Sequence, residues 1–276
     1  MVGKFRRIAK MKKVGHLGTL DPIATGVLPL VVGRATRLAQ FYTRSDKIYE
    51  GTVRFGWATV TYDREGEPTG PAREVTLDAG ELEAALERFR GEFLQTPPPV
   101  SAKKVGGRRA YELARAAVAV ALEPVRVEVY ELTLLEVSGP LARLRVHCSG
   151  GTYMRSIAHD LGQALGCGAH LDHLRRTASG EFTIAQARTL EQLAALAEEE
   201  RLIDALVPAG SMLPGMPSVF VDELTAGQIR NGRNFPASPF RGQPGARHVK
   251  AVTGKGELVA IGQAVLPNLY HPVVVL

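Results

Sequence analysis

The sequence predicts an α+β protein, a large mixed core followed by a small β-rich unit. Three observations carry this. Helically spaced apolar residues alternate with runs of alternating β-branched residues through most of the chain. The segment 208–217, with Pro208, Gly210, Pro214 and Gly215, interrupts that pattern. Beyond it only short strand-like runs remain. The boundary is therefore placed between 207 and 208, giving units 1–207 and 208–276. With 276 residues, 45% of them hydrophobic and 22% charged, the chain can bury a sizeable core.

Composition also narrows the function. The net charge of +6 suits a polyanionic partner without specifying one. The two cysteines, Cys148 and Cys167, lack Cys-x-x-Cys spacing and read as reduced, buried thiols rather than a zinc site or a disulfide. His159, His170 and His173 do not follow His-Glu-x-x-His spacing and read as helix and core histidines. No apolar run approaches the roughly 18 residues of a membrane span. The basic N-terminus lacks a signal-peptide apolar region, so a cytoplasmic protein is expected.

Taken in order, Val2, Phe5, Ile8 and Ala9 recur at near-helical spacing among Lys4, Arg6, Arg7, Lys10, Lys12 and Lys13, which predicts a short basic helix. It feeds the stretch from Val14 to Gly33, where one acid, Asp21, sits among glycines, small hydroxyls and aliphatics. Pro22 fixes its own φ and pushes Asp21 towards an extended conformation. Val27 to Val32 should return as a buried strand. An Asp-Pro pair also serves as a plain turn former, its carboxylate bonding its own backbone. A phosphate-binding loop is excluded, because neither glycine pair is followed by Lys and a hydroxyl residue.

Ala35 to Tyr42 then reads as a short helix and Lys47 to Gly56, carrying Tyr49, as a strand. Leu77 to Phe93 is amphipathic, with Asp78 as N-cap and Leu82, Ala85, Leu86 and Phe89 on one face. Pro97 to Pro99 stiffen the loop after Gln95 as polyproline II, and Lys103, Lys104, Arg108 and Arg109 give it positive charge. Pro124 to Leu135 and Ala142 to Cys148 read as strands. Met154 to Leu165 reads as a helix closed by Gly166. Arg155, early in that helix, opposes the dipole and needs an anionic partner, either Asp21 or Asp160. Thr189 to Leu202 is a further helix. The strand-like runs of the C-terminal unit are Ser218 to Val221, His248 to Thr253, Leu258 to Ala264 and Val273 to Leu276.

The run Gly15-His-x-Gly-Thr-Leu-Asp-Pro-x-Ala-Thr-Gly-Val-Leu-Pro29 resembles the signature of the TruB family of tRNA pseudouridine synthases, centred on that family's catalytic aspartate. Gly151-Thr-Tyr-x-Arg155 and the segment Gly166 to Thr177 are similar to family segments that line the active site. Gln95-x-Pro-Pro-x-x-Ser-Ala-x-Lys104 also resembles the family, with Val100 where tyrosine is usual. Thr59-Val-Thr-Tyr-Asp63 fits a Thr-Asp-Thr-x-Asp pattern except at Val60. The likeness runs from the first helix to Phe182.

The resemblance implies a bent, mixed, mostly antiparallel sheet flanked by helices, and a small C-terminal PUA-like β-barrel that binds RNA. It implies a tRNA pseudouridine-55 synthase, an isomerase needing neither cofactor nor metal, working on the T arm of tRNA as a monomer. Asp21 would be the nucleophile and Arg155 would keep it ionised. Tyr49 would stack on the base or assist its deprotonation. Tyr153 and Leu174 would sandwich the flipped uracil, and His16 would fill the vacated stack or contact phosphate. Arg175 and Arg176 would neutralise phosphates, as would the basic loop after Gln95. Family chains carry a strand and an Asp-Lys-Pro-x-Gly-x-Thr-Ser loop before the first helix. This sequence starts after that element, so an open sheet edge or groove beside the site is expected. The alternatives are a non-catalytic RNA-binding or RNA-folding protein on the same scaffold, and a sister synthase acting on another RNA.

Overall fold

The structure, a computed structural model, describes residues 1–100, 104–105, 108–109, 122–237 and 246–276. Its elements in chain order are α1 (Val2–Ile8), β1 (Val14–His16), β2 (Ala24–Gly26), β3 (Leu30–Val32), β4 (Lys47–Phe55), α2 (Ala79–Leu86), β5 (Gly91–Gln95), β6 (Lys104–Val105), β7 (Arg108–Arg109), β8 (Val125–Ser138) and β9 (Leu141–Cys148). Then follow α3 (Met154–Ala164), β10 (Ala169–Ser179), β11 (Phe182–Thr183), α4 (Leu190–Glu198), β12 (Ser218–Val221), α5 (Glu223–Arg230), β13 (Phe235–Pro236), β14 (His248–Thr253), β15 (Leu258–Leu266) and β16 (Leu269–Val275). They form two compact units. One holds Thr19–Leu28 and Arg44–Ala185; the other holds Met1–Gly18, Pro29–Thr43 and Gln186–Leu276.

The first of these is built on a seven-stranded sheet with the order β11-β10-β4-β9-β8-β5. Those neighbours are all antiparallel, and β2 joins β10 in parallel. Strand alternation turns Val53 and Phe55 of β4, Leu144 and Val146 of β9, and Leu171 and Leu174 of β10 into one core. Leu82 and Leu86 of α2 and Ile157 and Leu161 of α3 cover it.

In the other unit β1 pairs with β3, and the C-terminal residues form a five-stranded sheet, β12-β14-β15-β16-β13. That sheet curls into a half-barrel rather than closing as a barrel. Between β12 and β13 lies α5, a helix in a unit where the sequence predicts only strand-like runs. Asp222 caps it by accepting from the Thr225 N–H, and Ala226 and Ile229 bury its inner face.

Several expected boundaries move. The helix expected over 77–93 stops at Leu86, passes through a 3-10 turn at Glu87–Phe89, and becomes β5 after Gly91, whose φ of +76° no β-branched residue would accept readily. The cap at Asp78 and the buried face at Leu82, Leu86 and Phe89 are as expected. The strand expected over 27–32 is only Leu30–Val32, because Ala24–Gly26 has already paired with β10. Gly33–Tyr42 is a 3-10 run. His159 lies on α3 and His170 is buried on β10, in keeping with helix and core histidines, whereas His173, also on β10, is exposed. Of the basic loop, the backbones of β6 and β7 pair antiparallel, while Lys103 and the side chains of Lys104, Arg108 and Arg109 lie outside the described residues.

Candidate active site

Asp21 stands at the centre of a loop gripped from two sides. Its main-chain carbonyl accepts from the Ala24 N–H at 2.9 Å, closing the turn that an Asp-Pro pair favours. The carboxylate does not bond back onto that turn. Its Oδ1 accepts instead from an Arg155 terminal nitrogen at 2.7 Å, with 27% of the Asp21 side chain exposed and only 6% of Arg155.

Arg155 enters from the first turn of α3, where it opposes the helix dipole. Two carboxylates and a carbonyl compensate. Besides Asp21, its other terminal nitrogen donates to the Thr61 carbonyl at 3.1 Å and lies 3.5 Å from Asp63 Oδ2. No pair forms with Asp160, the same-helix alternative. Arg155 Nε is buried with no hydrogen-bond partner among the described residues.

Asp63 is the acid that sequence reasoning did not place in the site. It is 3% exposed, and the 59–66 loop folds around it. Thr61 Oγ1 donates to its Oδ1 at 2.6 Å, the Glu65 N–H donates to the same oxygen at 3.1 Å, and Thr59 Oγ1 donates to its carbonyl at 2.7 Å. The signal was present in the Thr-x-Thr-x-Asp pattern. Val60, the departure from that pattern, is 49% exposed and makes no part of this network. Tyr62 adopts a left-handed φ of 65°, rare for a bulky residue, and stacks on His159 of α3 with ring centroids 3.7 Å apart. Burial lowers the His159 pKa, so a neutral ring is favoured there.

The second grip belongs to Arg176 of β10. It was expected to meet phosphate, and the structure contradicts this: Arg176 is 1% exposed and points into the protein. Its Nε donates to the Val27 carbonyl at 2.8 Å and a terminal nitrogen donates to the Thr19 carbonyl at 3.3 Å, so it spans the Asp21 loop from flank to flank. The register of β2 against β10 places it, with Gly26 opposite Arg176. Arg175, next along the strand, is exposed.

Tyr49 faces Arg176 across β4 and β10. Burial pushes its phenol up to about 12, against the opposing pull of the Arg176 charge and hydrogen bond, and Asp21 is close enough to add to the rise. Leu174, 5% exposed, sits between Ala24 of β2 and Gly51 of β4 as part of the core. Tyr153 caps α3, half-buried. Asp21, Arg155, Tyr49, Tyr153 and Leu174 thus share one compact unit; His16, exposed on β1, belongs to the other. Among the described residues no three His, Cys, Asp or Glu side chains converge to hold a metal ion. The arrangement offers one aimed carboxylate, a buried guanidinium behind it and a phenol held protonated nearby, a set able to supply a nucleophile.

The description "TruB family pseudouridylate synthase (N terminal domain)" fits residues 6–154, and "tRNA pseudouridylate synthase B C-terminal domain" fits residues 155–214. A protein of Solibacter usitatus named tRNA pseudouridine synthase B is 75% identical over 276 residues, spanning 100% of this chain and 94% of its own. One of the same name from Symbiobacterium thermophilum is 48% identical over 235 residues, 84% of this chain and 77% of its own. Among solved structures, a chain of a Cbf5-Nop10-Gar1 complex superposes with a TM-score of 0.74 at 28% identity, covering 97% of this chain and 74% of that one. A chain of an H/ACA RNP bound to a substrate RNA containing 2′-deoxyuridine gives 0.72 at 25% identity, covering 100% and 78%. No helix among the described residues is long and apolar enough to cross a membrane.

Proposed function

The chain belongs to the TruB family of pseudouridylate synthases, and from that membership we infer that it isomerises uridine to pseudouridine in tRNA, at position 55 of the T loop, with Asp21 as nucleophile. Its fold is the pseudouridine synthase fold with a PUA-like C-terminal half-barrel. The observation that carries the residue assignment is the 2.7 Å pair between Arg155 and Asp21, on the very loop that bears the family signature.

The reaction breaks the bond from N1 to C1′ and makes one from C5 to C1′, with a proton leaving C5 and one arriving at N1. A carboxylate that forms a covalent intermediate divides this into two easier steps. It has to be aimed, and Arg155 and Arg176 aim it, one through the side chain and one through the backbone. A base stacked in an RNA helix is out of reach, so the uridine flips, at a cost of roughly a few kcal/mol. Tyr153 and Leu174 receive the ring and Tyr49 stacks on it or assists loss of the C5 proton. His16 contacts the RNA left behind. The T arm of tRNA is the partner, a monomer the acting form and the cytoplasm its place. Residues 208–276 serve as an auxiliary RNA-binding domain.

The test is incubation with an unmodified tRNA transcript and mapping of pseudouridine nucleotide by nucleotide. One new pseudouridine in the T loop is expected. Modification elsewhere would replace the position, and tight binding without product would favour an RNA-binding protein on the same scaffold.

A further inference from the structure

Helix α3 delivers both Tyr153 and Arg155, yet it starts without a side-chain cap. An amide on the neighbouring strand does the holding. Gln95, the last residue of β5, is 1% exposed. Its Oε1 accepts from the Tyr153 N–H at 2.8 Å, and its Nε2 donates to the Tyr153 carbonyl at 3.1 Å. A side chain thereby reproduces the paired donor and acceptor of an adjacent strand, at a residue that lies in no strand. The Tyr153 carbonyl also accepts the first bond of the helix, from the Ile157 N–H at 3.2 Å, so both of its lone pairs are engaged.

The clamp is itself anchored. The Gln95 backbone pairs with Val125 of β8. One residue on, the Thr96 carbonyl accepts from Ser156 Oγ at 2.7 Å, and three prolines follow with fixed φ. The end of β5 is therefore stitched to α3 at Tyr153 and Ser156, the residues on either side of Met154 and Arg155. A tilt at this start would be magnified along the Arg155 side chain, whose far end must meet Asp21, Thr61 and Asp63 together.

We propose that Gln95 is a positioning residue for the isomerisation: it touches no substrate and acts by fixing the direction in which Tyr153 and Arg155 leave the start of α3. This rests on reading the site as a pseudouridine synthase. The group required is one that donates and accepts side by side. Glutamine does so at every pH. A glutamate does so only while protonated, because an ionised carboxylate cannot donate and would set its charge against the Tyr153 carbonyl. Burial raises the pKa of such a carboxyl above its ordinary value of about 4.3.

The experiment compares wild type, Gln95→Met and Gln95→Glu in single-turnover pseudouridine formation and in tRNA binding, across a pH series on the acid side of neutrality. Gln95→Met keeps length and loses both hydrogen bonds. It is expected to slow the single-turnover rate by about tenfold to a hundredfold, the scale of a small misplacement of reacting groups, while tRNA affinity stays within about threefold. Gln95→Glu is expected to work best at the acid end relative to wild type and to lose rate as pH rises, a limb that wild type lacks. A wild-type rate for Gln95→Met, or a Gln95→Glu profile parallel to wild type, would overturn the proposal. If Gln95→Met does not fold, the Gln95→Glu series decides alone, since its comparison is made within one folded protein. Absence of pseudouridine with wild type would overturn the functional reading instead, and is a distinguishable result because wild type accompanies every series.

Discussion

Arg155 reaches the Asp21 carboxylate at 2.7 Å, while Arg176 reaches the main chain at Thr19 and Val27 on either side of it. Desolvating two guanidinium groups costs several kcal/mol on the scale of buried ions, and the bonds they make must offset it. The return is a carboxylate with a fixed backbone and a fixed direction. Tyr49 shares this environment, and its raised pKa makes a prediction about stability. The folded phenol ionises near 12, whereas the unfolded chain gives up the same proton near the ordinary value of 10.0. The unfolded state therefore binds fewer protons in between, and stability falls as pH rises from 10.0 towards about 12. In denaturant titrations Tyr49→Phe should flatten that decline; an unchanged slope would show that Tyr49 is not buried in this way. Asp21 could be read from a short continuous run of residues. Arg176 could not, since its role depends on a strand register linking residues 149 apart, and the family resemblance suggested a phosphate contact.

Among the elements, β2 is three residues long and yet decides where Asp21 stands. It lies parallel to β10 with Gly26 opposite Arg176, and Gly26 has a φ of +97°. A Cβ there would fall onto the Arg176 carbonyl. Gly26→Ala should therefore destabilise the fold by about 3 kcal/mol, combining left-handed strain with overpacking. It should also lower turnover in the fraction that remains folded, as thermal melts and single-turnover assays would show. A melting temperature equal to wild type would contradict the pairing. The same geometry explains which elements were legible. Long alternating runs such as β4, β8 and β9 declare themselves, because one face is buried along their whole length. The segment 77–93 misled, because Leu82, Leu86, Phe89 and Phe93 keep one helical period across α2, the 3-10 turn and β5, although the backbone leaves the helix before Gly91. The two short strands β1 and β3 are set by pairing with each other, and α5 by a local cap within a turn-rich region.

At the scale of the whole molecule, a net charge of +6 draws the chain to RNA but selects no nucleotide. On the function proposed above, the chemistry centres on one carboxylate, set in a unit whose sheet, helix start and loops all bear on its direction. Phosphate contacts and the site can accordingly be separated by experiment: removing the carboxylate should leave the basic surface intact. The decisive measurement is the single-turnover rate of pseudouridine formation in tRNA by Asp21→Asn, together with its tRNA affinity. Asparagine keeps the shape and removes the nucleophilic charge. The expected result is a rate reduced by more than about a thousandfold with affinity within a few-fold of wild type. A rate within about tenfold of wild type would contradict the assignment of Asp21 as the nucleophile.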